Sequence, residues 1–255
     1  MNLLFIGDVV GESGCDFLEK HIYALKKEFD IDFTVINGEN SAKGNGITQK
    51  SYDRLMQMGA DVITTGNHCF QRKEGMVLFD IKDNLLRPYN YPDGVVGHGV
   101  TVVDLGMTKI AVINLMGTVG LDALDNPFFA MDRLLSDIDT PNIFVDFHAE
   151  ATSEKKAMGQ YLAEKVTAVL GTHTHVQTAD EMIISAHTAY ITDVGMTGPE
   201  LSVLGVDTLR AVEKLKYHTP VQFAESQNPC FINAVVISFD HTLGKATKIV
   251  RIIKR

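Results

Sequence analysis

Met1-Asn2-Leu3-Leu4-Phe5-Ile6-Gly7-Asp8 is a short apolar run, then a glycine, then a carboxylate. Such a run, bounded by a turn residue, reads as a strand buried on both faces. The glycine lets the chain bend sharply, so the Asp8 carboxylate points off the strand's carboxyl end, where open α/β sheets place ligands. Alone, the pair is read equally well as a strand followed by an N-capping aspartate. Four more apolar runs end in the same manner, in Asn37-Gly38-Glu39-Asn40, Gly66-Asn67-His68, Phe147-His148-Ala149 and Gly171-Thr172-His173-Thr174-His175. The recurrence decides the reading. Two carboxylates, two amides and four histidines at the ends of separate strands are costly to gather unless metal ions satisfy them.

Outward from these motifs the chain alternates apolar runs with amphipathic stretches. Leu3 to Ile6, Phe33 to Ile36, Val62 to Thr64, Ile110 to Leu115, Ile143 to Phe147 and Ala168 to Leu170 read as buried strands, and 12–29, 48–58, 74–83 and 153–165 as helices. Strand–helix alternation points to βαβ units and an α/β fold. A hairpin turning at Gly106 interrupts it over Thr101 to Ile110. Beyond the histidine pair, Met182 to Ile184, Ala189 to Thr192, Phe231 to Phe239 and Lys248 to Ile253 are strand-like, and the second half is expected to supply antiparallel strands to a second sheet. With no repeat and no Pro/Gly-rich linker, one domain over 1–255 is expected. The least regular stretches, 37–47, 85–99, 116–127 and 193–206, are rich in Gly, Asn, Asp or Pro and are of the kind that carries function.

At 255 residues and 45% hydrophobic, the chain can bury a full core. No run approaches the roughly 20 apolar residues of a spanning helix. The N-terminus reads as a core strand and not a signal peptide, and Cys15, Cys69 and Cys230 form no C-x-x-C pair, so a reducing cytoplasm and no membrane association are expected. A net charge of −9 argues against tracking a long polyanion, so no stable nucleic-acid binding is expected. A small phosphate substrate stays open, because bound divalent ions would reverse the local charge. Self-association is left open.

Within the motifs, Glu39 can reach two ions with its two oxygens, and Asn40 adds a neutral oxygen. Asn67 offers a carbonyl oxygen, while the neighbouring His68 can point toward a substrate. Each of these segments, taken singly, also reads as an Asx-rich turn or a cap. Cys69 reads as a buried structural thiol. His148 ends a strongly apolar strand, with Glu150 and Thr152 placed to support it or to cap a helix. His173 and His175, two apart on an extended segment, would share a face and address neighbouring ions. His21, His98, His187, His218 and His241 have no partner motif and read as structural or solvated. Met116 and Met131, near Phe128 and Phe129, read as core or lid packing.

The order G-D, N-G-E-N, G-N-H, H-A-E, G-T-H-T-H resembles the calcineurin-like metallophosphoesterase superfamily, and more closely its bacterial YmdB-type branch. The closer likeness spans nearly the whole chain and includes Asp146-Phe147-His148-Ala149-Glu150-Ala151-Thr152-Ser153-Glu154-Lys155 and Asp193-Val194-Gly195-Met196-Thr197-Gly198-Pro199. The resemblance implies an αββα four-layer sandwich with mixed sheets and two metal ions at the strands' carboxyl ends. Asp8, Glu39, Asn40 and His175 would hold one ion, Glu39, Asn67, His148 and His173 the other, with Glu39 bridging. It implies hydrolysis of cyclic nucleotides, notably 2′,3′-cyclic ones with 3′,5′-cyclic ones open, and iron at the site. The wider superfamily has D-x-H and a bridging Asp, where this chain has Val10 in the histidine position and Glu39 as the bridge. Asn40 then stands for the missing imidazole, and the harder oxygen suits Fe or Mn. The mechanism expected is in-line attack on phosphorus by hydroxide made available by ions about 3.5–4 Å apart, with His68 as general acid to the departing ribose oxygen. A phosphomonoesterase or nucleotidase with the same ligands, and a non-catalytic RNA-associated regulatory module, are the competing readings.

Overall fold

The computed structural model describes all residues from Met1 to Arg255. In chain order the elements are β1 (Asn2–Ile6), β2 (Asp8–Val9), α1 (Gly11–Glu28), β3 (Phe33–Asn37), α2 (Gln49–Gln57), β4 (Val62–Thr64), α3 (Met76–Ile81), β5 (Val100–Asp104), β6 (Lys109–Met116), α4 (Pro127–Leu135), β7 (Ile143–His148), α5 (Thr152–Tyr161), β8 (Ala168–Thr172), β9 (Met182–Ile184), β10 (Thr188–Ile191), β11 (Met196–Pro199), α6 (Thr208–Tyr217), β12 (Cys230–Asp240) and β13 (Lys245–Lys254). One sheet runs β2-β11-β12-β1-β3-β4, with β13 added on β12; the other runs β5-β6-β7-β8-β10-β9. Strands β1, β3 and β4 are parallel, as are β6, β7, β8 and β10, so both sheets present carboxyl ends in succession. No helix is long and apolar enough to cross a membrane.

Side-chain parity builds the layers. In β1, Leu4 and Ile6 join a core under α1 and α2, while Leu3 and Phe5 face the other sheet. Phe33 and Val35, Val62, Ile110 and Val112, Phe144, and Ala168 and Leu170 fill the same inter-sheet layer. Ala111, Ile113, Val145, Phe147 and Val169 turn the other way, onto Met131 and Leu134 of α4 and Met158 of α5. The result is helix, sheet, sheet, helix, the αββα sandwich expected, and strands buried on both faces explain the unbroken apolar runs. Full burial of each such Leu or Phe contributes about 1.5–3 kcal/mol. Continuing the inter-sheet parity to the carboxyl ends gives Asn37, Thr64, Asn114, Asp146 and Thr172, all buried, so the apolar layer there becomes a polar one.

Three expectations change. The chain returns to the first sheet: β12 pairs antiparallel with β1 and β13 with β12, whereas β10 enters the second sheet parallel to β8. The reason is the eleven-residue β12, apolar on both faces, which covers the free edge of β1. Within the irregular 193–206, β11 pairs with the two-residue β2, Met196 opposite Asp8. Helices α4 and α6 also form where none was expected, started by the caps Asn126, with Pro127 behind it, and Asp207. The hairpin stands as read, with Gly106 at φ 80° between β5 and β6.

Candidate metal centre

All eight residues singled out by the motifs meet at the carboxyl ends of these strands. Asp8 does not cap α1: the N-cap is Val10, and the Asp8 carboxylate is fully buried with Oδ1 free of any hydrogen bond. His175 Nε2 lies 3.7 Å from that oxygen and 3.3 Å from Asn40 Nδ2, and the His173 backbone N–H donates to Asp8 Oδ2 at 3.3 Å. His148 Nε2 is 3.2 Å from Glu39 Oε1, 3.0 Å from Asn67 Oδ1 and 3.1 Å from His173 Nδ1. The ligand atoms of Glu39, His148 and His173 lie within 4.8 Å of one another. The contacts fall into two groups, Asp8, Asn40 and His175 in one and Glu39, Asn67, His148 and His173 in the other, joined by the His173 N–H on Asp8.

The donor atoms fit metal ions. Buried polar atoms are almost always hydrogen-bonded, yet Asp8 Oδ1, both Glu39 oxygens and Asn40 Oδ1 find no hydrogen bond of acceptable geometry. Oxygen and imidazole donors converging in that state are what a divalent cation binds. Gly66 makes the approach feasible, because a Cβ there would overlap the Glu39 carboxylate and the His148 ring.

Charge is uneven across the cluster. Burial pushes the Glu39 carboxyl up, but the His148 and His68 imidazoles beside it prevail and hold it well below the ordinary carboxylate range. Burial works against a charge on His148, while Glu39, Asp8 and Asp146 raise it to about 9. Burial and the neighbouring His148 keep His173 low. Burial also opposes charge on His175, and Asp8 overrides it upward.

Two placements differ from the sequence reading. His173 and His175 do not lie on an extended segment: β8 ends at Thr172, and the two residues have φ of 97° and 63°, in the left-handed region. They diverge from a strained loop, His173 toward His148 and Glu150, His175 toward Asp8. His68, for its part, turns Nδ1 to within 2.8 Å of Glu39 Oε1 without hydrogen-bonding geometry, and its side chain stays 30% exposed. Glu150 is a supporting partner, 3.0 Å from His173 Nε2, whereas Thr152 starts α5 without capping it. Burial lifts the Cys69 thiol to about 12, as suits a structural cysteine. Met116 and Met131 are core.

Asp146, Lys155 and Asp193 lie in the stretches that carry the resemblance, but the sequence assigns them no role in holding the ligands. The Asp193 carboxylate accepts from Thr174 N–H at 3.0 Å, from Thr174 Oγ1 at 2.7 Å and from the buried Lys155 Nζ at 2.6 Å, clamping the residue between the two histidines. Asp146, inside the polar layer, accepts from Asn37, Thr64 and Thr172. Burial lifts its carboxyl to about 7 against the pull of His148 and the two hydroxyls. The signal for Asp146 was its parity, a polar residue in the inter-sheet series of Phe144.

The model of the family described as YmdB-like protein matches residues 4–252. The chain is 48% identical over 255 residues to the 2′,3′-cyclic-nucleotide 2′-phosphodiesterase of Bacillus subtilis, covering 99% of this chain and 97% of that one. Among solved structures it is similar to a hypothetical protein from Thermus thermophilus, with TM-score 0.94, 36% identity and coverage of 99% and 98%. It is also similar to a novel phosphatase from Mycoplasma pneumoniae, with TM-score 0.93, 34% identity and coverage of 100% and 94%.

Proposed function

The chain belongs to the YmdB-like family, a metallophosphoesterase branch, and from that premise we propose that it is a metal-dependent phosphodiesterase, one domain over 1–255, that opens 2′,3′-cyclic nucleotides. The carrying observation is the set of buried oxygens, Asp8 Oδ1, Glu39 Oε1 and Oε2 and Asn40 Oδ1, that lack hydrogen bonds while four histidines ring them. Asp8, Glu39, Asn40 and His175 would hold one ion, and Glu39, Asn67, His148 and His173 a second, most readily iron or manganese given the oxygen-rich shell. When bound there, such ions would supply neutralisation of phosphate charge and a more acidic water. The substrate class rests on the B. subtilis relative.

The chain's own residues supply orientation and a proton. His68, with Nδ1 beside Glu39, leaves Nε2 near Asn45 at 3.5 Å, on the open side, where it would hand a proton to the departing ribose oxygen. Arg72, close in sequence to His68, donates its guanidinium to the backbone carbonyls of Lys43, Gly44 and Asn45. That engagement supports a diester over a monoester substrate. Turnover of the metal-loaded protein on 2′,3′-cAMP, 3′,5′-cAMP and 5′-AMP tests the reading. The 2′,3′-cyclic substrate should have the highest kcat/KM and give the 3′-phosphate; a higher value for 5′-AMP would make the protein a nucleotidase.

A further inference from the structure

Below the site, one buried carboxylate is wired to ligands in both sheets. Asp146 belongs to β7 of the second sheet, and its Oδ2 accepts from two residues of the first: Asn37 Nδ2 at 2.9 Å and Thr64 Oγ1 at 2.5 Å. The Asn37 amide is not free to flip, because its Oδ1 accepts the backbone N–H of Glu39 at 3.1 Å. Asp146 therefore reaches the backbone of Glu39 through one intervening side chain. Its Oδ1 accepts from Thr172 Oγ1 at 2.6 Å, and Thr172 Oγ1 lies 2.9 Å from His148 Nδ1. Once the single Thr172 proton goes to the carboxylate, only lone pairs remain toward His148, so Nδ1 must carry the ring proton. A neutral His148 then has its free lone pair on Nε2, the atom that faces Glu39, Asn67 and His173.

We propose that Asp146 is a positioning residue for the metal centre, orienting Glu39 through Asn37 and fixing the His148 tautomer through Thr172. The proposal rests on the metal reading given above and adds to it the group that sets a ligand in each sheet. Partners of this kind hold ligand orientation, and losing one typically costs 10–100-fold in metal affinity. Asp146→Asn is the near-isosteric probe, and it fails in either orientation. With its amide nitrogen toward Thr172, the hydroxyl must turn to donate to His148 Nδ1, leaving the proton on Nε2. With that nitrogen toward Asn37, it meets the fixed Nδ2 donor and disturbs Glu39.

The test is Zn²⁺ titration of the full-length, chelator-stripped protein at pH 8.5, by calorimetry and elemental analysis, with circular dichroism to check the fold. Asp146→Asn and Thr172→Val should lose about 10–100-fold in Zn²⁺ affinity, and Thr172→Ser, which keeps the hydroxyl, should restore it. Correlated ¹H–¹⁵N spectra of the Zn²⁺-loaded protein should show a proton on His148 Nδ1 that exchanges slowly in the wild type and Thr172→Ser and faster in Thr172→Val, a difference that Zn²⁺ ligation through Nε2 does not by itself dictate. Zn²⁺ affinities of folded Asp146→Asn and Thr172→Val equal to wild type, or an Nδ1 proton that exchanges at the same rate in Thr172→Val as in the wild type, would overturn the proposal while the metal reading stood. Should Asp146→Asn not fold, the comparison of Thr172→Val with Thr172→Ser decides. A wild type that takes up no Zn²⁺ would overturn the metal reading, and this proposal with it.

Discussion

His68 is the most exposed histidine of the cluster, with 30% of its side chain accessible against 19% for His173, 12% for His175 and 0% for His148. A group that must meet a substrate has to stay reachable, whereas a group that meets only ions gains from exclusion of water. In the role proposed for it, His68 gives up a proton and holds no ion. His68→Ala should therefore keep its metal content and lose about 10²–10⁴ in rate on a ribose leaving group. The loss should be smaller on bis(p-nitrophenyl) phosphate, whose leaving group needs no proton. Equal losses on both substrates, or loss of metal, would remove His68 from the role. Residue identity was the most legible level of the sequence: the motif residues converge. Their supporters were not, because Asp146, Asn37 and Thr172 look like ordinary polar residues until two strands from different sheets are laid against each other.

At the scale of elements, strands that are apolar on both faces were readable as such, and so were the helices α1, α2, α3 and α5. Helices α4 and α6 escaped although each starts at a local cap, and the strands that escaped are those whose existence depends on a partner far away in the chain. Strand β2 has two residues and therefore no periodicity, and it exists because β11 pairs with it. The return of β12 and β13 to the first sheet is likewise a matter of edge pairing. The loop after β8 was misread as extended because its strain at His173 and His175 is imposed by Asp193, nineteen residues beyond Thr174. Asp193 is in turn neutralised by Lys155 on α5, a pair with side chains 0% and 1% exposed. Removing one partner of a buried pair leaves a charge without compensation, so Lys155→Met should destabilise by about 3–5 kcal/mol in urea denaturation. A change below about 1 kcal/mol would show that the clamp is not held by this ion pair.

For the whole molecule, the same charges link the site to stability. His148 is raised from 6.5 to about 9, so its contribution to the metal-free fold is full below 6.5 and is lost as pH rises toward 9. Asp146, raised from 3.8 to about 7, binds more protons folded than unfolded and lowers stability as pH rises across that span. Glu39, lowered from 4.5, contributes above that value and loses its contribution only in acid. The chelated protein should thus lose Tm between about pH 6.5 and 9. Metal binding requires deprotonated ligands, so its stabilisation grows over the same window. The Tm difference between loaded and chelated protein should widen with pH, and a constant difference would contradict the assignment of His148 as a ligand. Central to everything above is the claim that Glu39 bridges two ions in a catalytic centre. Elemental analysis with parallel turnover on 2′,3′-cAMP, for the wild type and Glu39→Gln, tests it most directly. Two ions per chain and turnover in the wild type, with one or no ion and no turnover in the variant, is the predicted result; two ions and full turnover in Glu39→Gln would contradict it.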